Sequence, residues 1–214
     1  MLARVRLSVP DRPGSLGVVA STIGAAGADI VKIDVLESES GRALDDVFLT
    51  VRDPAHLDAV RTRLNGVPGV SVSGVQHPAP PVTGHAALEL VDRVLSRPER
   101  GLQTLVDGAP HALGADWGVI VEYGVDGLPA GVLLSSSQCP GVDRVSLTTP
   151  LRLASIRMTP PGAVEPYGGT AVVPIGNSQM ALVLVREGGP EFHRSELWRV
   201  GQVGQIVGTV LAPV

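Results

Sequence analysis

Ala3, Val5, Leu7 and Val9 alternate with Arg4, Arg6 and Ser8, the period-two pattern of a strand with one apolar face. The period then changes. Leu16, Val19, Ile23 and Ala26 recur at helical spacing, which predicts a helix over residues 16–26, and Gly27 is placed to end it. Residues 30–36 read as a second strand, Ser40-Gly41-Arg42 as a turn, and residues 43–51 as a third strand with Val47, Leu49 and Val51 facing one way. Asp53 followed by Pro54 is a cap with proline at the first helical position, and Leu57, Val60 and Leu64 form the inward stripe of that helix. Gly66 and Pro68-Gly69 break it, and residues 70–75 alternate as a last strand.

This order, βαββαβ, predicts the ferredoxin-like arrangement, with both helices on one face of an antiparallel sheet. In that arrangement the strand at residues 29–37 lies at a sheet edge. An apolar unpaired edge invites strand addition, so a homodimer is expected. Gln76-His77-Pro78-Ala79-Pro80-Pro81-Val82-Thr83-Gly84 then interrupts every periodic pattern and favours an extended, semi-rigid connection. It divides the chain into a domain at 1–75, a linker at 76–84 and a domain at 85–214.

The second part opens with helical spacing at Ala87, Leu90, Val91, Val94 and Leu95. A further helix carries Leu102, Leu105, Val106, Ala109 and Leu113, which Pro110 is expected to kink or split. Residues 117–123 and 130–136 flank Gly124-Val125-Asp126-Gly127 as a hairpin, and residues 170–175 and 179–186 form another around Gly176-Asn177-Ser178. Thr149-Pro150 is placed to cap a short helix through Ile156. A final helix over 194–211 has the stripe Leu197, Val200, Gly204, Val207 and Leu211, and Gly201, Gly204 and Gly208 permit close packing of that helix, within the chain or across a dimer. A central antiparallel sheet with helices at both sequence ends follows, and the whole chain is of the α+β class.

At 214 residues the chain is long enough for one large or two small domains, and 44% hydrophobic with 18% charged residues is an ordinary globular composition. The net charge of -4 comes with scattered basic residues and no arginine-rich stripe, which excludes a nucleic-acid surface from the expectation. Cys139 is the sole cysteine, no leader-like apolar run opens the sequence, and no stretch approaches a membrane span; a cytoplasmic protein without membrane contact is expected.

Catalytic chemistry finds no constellation. There is no Gly-x-Ser-x-Gly elbow, Walker loop or dinucleotide fingerprint. His56, His77, His85, His111 and His193 lack metal-ligand spacing. Asp45-Asp46 is the paired carboxylate, but strand neighbours point to opposite faces, so the two do not form a shared acid–base site. Cys139 has no adjacent base or cation to activate it. No catalytic residue, no cofactor and no metal are expected.

Binding chemistry concentrates in Asp11-Arg12-Pro13-Gly14-Ser15-Leu16. Turn residues between a strand and a helix leave the first helical N–H groups free, and with the helix dipole these make a seat for a small carboxylate. A tight connection capped by Ser15 or Asp11 is the plain structural alternative.

This stretch, Gly27-Ala28-Asp29-Ile30 before the second strand, and Val67-Pro68-Gly69-Val70 before the last together resemble the ACT domain family of regulatory modules in amino-acid metabolism. The resemblance covers roughly residues 2–75. It implies side-by-side pairing of two copies, with an amino acid held by the first strand–helix loop of one and the start of the second strand of the other. The matching positions are Asp11, Arg12, Pro13, Gly14, Ser15 and Leu16, with Asp29 and Ile30. Serine-binding members often carry Asn where this chain has Asp11 and Asp29. A carboxylate only accepts hydrogen bonds, so two aspartates favour a ligand's ammonium and leave its carboxylate to the backbone near Ser15. The second part is similar, through its architecture alone, to GAF-type sensor domains, and no pocket residue carries over.

The expected function is therefore a non-catalytic regulatory protein binding an amino acid or similar small metabolite at an ACT-like dimer interface. Its rival is a constitutive protein-interaction module with a vestigial ligand site, acting through a protein partner. An enzyme using a cavity in the second part ranks third, for want of a nucleophile, base or metal.

Overall fold

The computed structural model describes residues 1–77 and 85–211. Residues 78–84, most of the expected linker, lie outside the described residues. The described residues fall into two compact units: the first holds the first four strands and first two helices together with Gly188–Pro190, and the second holds the elements after the proline-rich stretch.

The first unit runs β1 (Leu2–Pro10), α1 (Ser15–Ala25), β2 (Asp29–Glu39), β3 (Arg42–Thr50), α2 (Pro54–Asn65) and β4 (Ser71–Gln76). Its sheet has the order β2-β3-β1-β4, all antiparallel, so β2 is an edge strand as the pattern predicts. Ala3, Val5, Leu7 and Val9 of β1 and Val47 and Leu49 of β3 meet Val19 and Ile23 of α1 and Leu57, Val60 and Leu64 of α2 in one core. Each buried valine, leucine or isoleucine side chain among them stabilises the fold by roughly 1.5–3 kcal/mol.

Local chemistry fixes the joints. Ser40 and Gly41 both take positive φ, 54° and 74°, the two-residue turn whose twist matches a hairpin, and it sets Glu39 opposite Arg42. Asp53 caps α2 by accepting from the His56 N–H at 2.7 Å. His56 is itself buried: its Nδ1 accepts from the Arg52 N–H, so its Nε2–H donates to the Ala26 carbonyl at 2.9 Å and ties α2 to the end of α1.

The sheet's second face carries polar residues, yet its centre is not solvated. Arg4, Arg6 and Asp46 on it are buried, and the Asp46 carboxylate accepts from both arginines, at 2.8 and 2.9 Å from Arg6. Bidentate geometry of this kind is what a buried carboxylate needs to remain ionised.

The second unit runs α3 (Ala86–Ser96), α4 (Gly101–Leu113), β5 (Trp117–Tyr123), β6 (Pro129–Ser135), β7 (Ala154–Ile156), β8 (Gly169–Pro174), β9 (Met180–Arg186) and α5 (Arg194–Leu211), with short 3₁₀ turns at Pro98–Arg100 and Val142–Arg144. Its antiparallel sheet has the order β6-β5-β9-β8-β7. α3, α4 and α5 cover one face through Leu90, Leu105, Ile120, Leu182, Leu184 and Val203. Connecting segments cover the other, where Trp117, Val119, Met158, Tyr167 and Val183 cluster and Trp117 meets Tyr167 edge-on at 5.5 Å.

One expectation changes here and two narrow. Pro110 neither splits nor ends α4; it sits in the last turn, fully inside the helix, and its carbonyl accepts the Gly114 and Ala115 N–H groups that close it. Thr149-Pro150 starts no helix: residues 154–156 instead pair with β8 as an edge strand, because the ladder satisfies their backbone groups and the cap signal had no apolar stripe behind it. The glycine row of α5 packs within the unit. A Cβ on Gly208 would stand 2.3 Å from the Gly176 nitrogen, and one on Gly204 2.5 Å from the Pro174 carbonyl oxygen.

Arg186, fully buried, locks the unit's end. It donates to the Gly114 carbonyl at 2.7 Å and to Glu196 Oε1 at 2.7 Å, and its guanidinium lies 3.8 Å from the centre of the Phe192 ring. Glu196 also accepts from the His193 N–H at 2.9 Å, the return half of a capping box at the start of α5.

Candidate functional site

The loop between β1 and α1 is shaped by its glycine. Gly14 stands at the N-cap of α1 with φ 91°, a conformation costly for a side-chain-bearing residue, and no side chain caps the helix. The Ser15 N–H turns back to the Arg12 carbonyl, whereas the Leu16 and Gly17 N–H groups of the first turn find no backbone acceptor. Neither Ser15 nor Asp11 caps the helix. The Asp11 carboxylate instead accepts a hydrogen bond from the Ser38 hydroxyl at the end of β2, and its N–H donates to the Gly41 carbonyl at 2.8 Å.

These residues wall a cavity of about 460 Å³, with Asp11, Gly14 and Ser15 on one side and Val35, Ser38 and Asp45 on the other. A second depression, of about 520 Å³, shares Arg12, Pro13, Gly14 and Ser15 and is closed by Val67, Pro68 and Val70. The Val67-Pro68-Gly69-Val70 turn is pinned there. Gly69 has φ 81° and lies so close to Pro10 that a Cβ would sit 2.8 Å from its Cγ, while Arg42 donates to the Gly69 carbonyl at 3.0 Å. Both depressions fall in the size range of small-molecule pockets.

Asp45 is the residue the sequence reading missed. It does point away from Asp46, as strand neighbours must. Asp46 pairs with the arginines, whereas Asp45 faces the helices, opposite Leu7 on β1 and Val35 on β2. Its side chain is 0% exposed, and neither carboxylate oxygen has a hydrogen-bond partner. Burial raises its carboxyl above the ordinary value, and the neighbouring charges of Asp46 and Asp11 raise it further. The signal was present in the alternation: Asp45 shares the parity of Val47, Leu49 and Val51, the buried face.

Of the residues assigned from sequence, Asp11, Arg12, Pro13, Gly14, Ser15 and Leu16 come together at the cavity. Asp29 and Ile30 do not join them. Asp29 pairs with Thr50, opposite Leu2, at the end of the sheet away from the loop, where Arg42 is the neighbour of Pro10. Within one chain the two groups are separated by the length of β3. Val31 and Val35, exposed by 52% and 58%, make the β2 edge apolar.

Among the described residues no cluster of three His, Cys, Asp or Glu is placed to hold a metal, and no helix is long and apolar enough to cross a membrane. Cys139 is half-buried against the Trp117 cluster. In the second unit the Tyr123 and Thr170 hydroxyls are buried without partners, and burial raises the Tyr123 phenol above its ordinary value.

Residues 3–69 match the family model of the ACT domain. No curated protein matches the chain. Among solved structures, the ACT domain from GTP pyrophosphokinase of Chlorobium tepidum is 22% identical and covers 34% of this chain and 95% of its own, with a TM-score of 0.30. The GAF domain of a protein described as a sensor histidine kinase, from Pseudomonas syringae pv. tomato, is 17% identical over 59% of this chain and 85% of its own, with a TM-score of 0.43. A formyltetrahydrofolate deformylase from Pseudomonas putida KT2440 is 15% identical over 47% of this chain and 39% of its own, with a TM-score of 0.29.

Proposed function

We propose that this chain, whose residues 3–69 form an ACT domain, is a non-catalytic regulatory protein that binds an amino acid or similar small zwitterion. One observation carries the reading. The glycine-turned loop leaves the Leu16 and Gly17 N–H groups unpaired at the mouth of a cavity of about 460 Å³ whose lining includes Asp11 and Asp45. Donors for a carboxylate and acceptors for an ammonium thus border the same space.

Two copies pair along the exposed apolar edge of β2, which brings Asp29 and Ile30 of one to the loop of the other. Ligand binding then shifts the population of dimer arrangements, and the second unit reads out the shift. The test is isothermal titration of the full chain against the twenty amino acids. Binding with a Kd of millimolar or better for at least one supports the reading, and absence of heat from all of them sinks it. The rival, a constitutive interaction module with a vestigial site, draws on Asp11 being already engaged by Ser38. It predicts a stoichiometric protein complex that metabolites leave unchanged.

A further inference from the structure

Asp45 makes little sense as a packing residue. Its same-face neighbours along β3 are Ala43 and Val47, and the residues opposite are Leu7 and Val35, all apolar. An ionised carboxylate enclosed by such groups without a hydrogen bond costs several kcal/mol, and any residue of similar volume without charge would fit the strand better. Proteins retain such local conflicts where a ligand resolves them. α1, which packs over this face, carries no titratable side chain; the charged groups bordering the space are Asp11 and Arg12 of the loop.

We infer that Asp45 is the ammonium-recognition residue of this cavity, so that its ligand carries a cationic amino group against Asp45 and a carboxylate against the unpaired N–H groups of Leu16 and Gly17. The inference rests on the amino-acid reading above and specifies its chemistry. Asp11 is the weaker candidate for the same role, since Ser38 already satisfies part of its carboxylate. A metal cation fits poorly, because no third acidic or imidazole group joins the two aspartates among the described residues. An organic ammonium needs fewer ligands and brings the second, anionic end that the first turn of α1 requires.

Titration calorimetry of the full chain with three probe sets tests this: the amino acids, the corresponding amines without carboxylate, and the corresponding acids without the amino group. The wild type is expected to bind an amino acid at least tenfold more tightly than its deaminated counterpart. Asp45→Asn is expected to weaken the amino acid tenfold or more and to leave the deaminated acid within about twofold. Equal affinities for amino and deaminated probes overturn the inference on the wild type alone, whether or not the variant folds. An amino acid bound equally by wild type and a folded Asp45→Asn overturns it too and leaves the amino-acid reading intact. No binding by any probe set at millimolar concentration overturns both.

Discussion

Replacing Asp45 by valine is expected to stabilise the ligand-free protein. Asp45 is 0% exposed and neither of its oxygens is hydrogen-bonded. Exchange of an uncompensated buried charge for a branched apolar side chain of similar volume, in a strand and among Ala43, Val47, Leu7 and Val35, is worth about 1–4 kcal/mol. For a unit of this size that is roughly 4–8 °C in Tm per kcal/mol. The gain depends on pH with a definite sign. The folded state holds the Asp45 carboxyl above its ordinary value of 3.8, so it binds the proton more tightly than the unfolded chain does. Stability contributed by the protonated form is present below pH about 3.8 and is lost as pH rises through the folded value. The advantage of Asp45→Val therefore grows as pH rises from the ordinary value through the folded one and shrinks in acid. Asp11, Arg12 and Asp46 remain in both proteins. Trp117 and Trp198 both belong to the second unit, so tryptophan fluorescence is blind to this effect. Hydrogen exchange of β1 and β3 amides, run from pH 4 to 8 beside urea melts followed by far-ultraviolet circular dichroism, reads the right unit. A valine variant less stable than wild type at pH 7 would mean that Asp45 makes a favourable interaction in the ligand-free protein, the opposite of what its unpaired burial implies.

Other positions give sharper structural tests. Gly14→Ala meets open space but must hold φ 91°, so it should cost about 1–2 kcal/mol in urea melts, whereas Gly69→Ala adds a Cβ 2.8 Å from Pro10 to the same kind of strain and should cost more. Gly208→Ala drives a Cβ against the Gly176 backbone at 2.3 Å and should destabilise the second unit by more than about 2 kcal/mol, read by tryptophan fluorescence. Gly201→Ala meets only the end of the Leu153 side chain at 2.8 Å, and recovered helix propensity of about 1 kcal/mol should leave it near neutral. Glu196→Ala removes the carboxylate to which the fully buried Arg186 donates and should cost about 3–5 kcal/mol in the same assay, with Arg186→Met in the double variant recovering part of it.

How far the chain could be read depended on whether a signal was local. The Asp53-Pro54 cap, the Ser40-Gly41 turn and the α5 stripe are written in neighbouring residues, and the elements formed where those residues place them. β7 failed because three residues of edge strand have no periodicity to read; only pairing with β8 defines them. Pro110 does not split α4 because its penalty falls on a single backbone bond in a last turn that buried apolar residues hold in place. The loop Asp11–Leu16 was legible as a donor site, since its turn chemistry is local. Its counterpart across the cavity is harder to read, because adjacent carboxylates suggest a dyad while strand parity sends Asp45 to the apolar face and Asp46 to the polar one. The parity that divides them also assigns Asp46 to the Arg4 and Arg6 side chains.

One small molecule is proposed to bridge the first turn of α1 and Asp45. Nuclear magnetic resonance of the full chain during an amino-acid titration tests it most directly, following the Leu16 and Gly17 amides together with the Asp45 carboxyl carbon. All three are expected to move with one common Kd for the same amino acid. Amides that shift while the Asp45 carbon stays fixed, or a first unit unmoved by every amino acid at millimolar concentration, would contradict it.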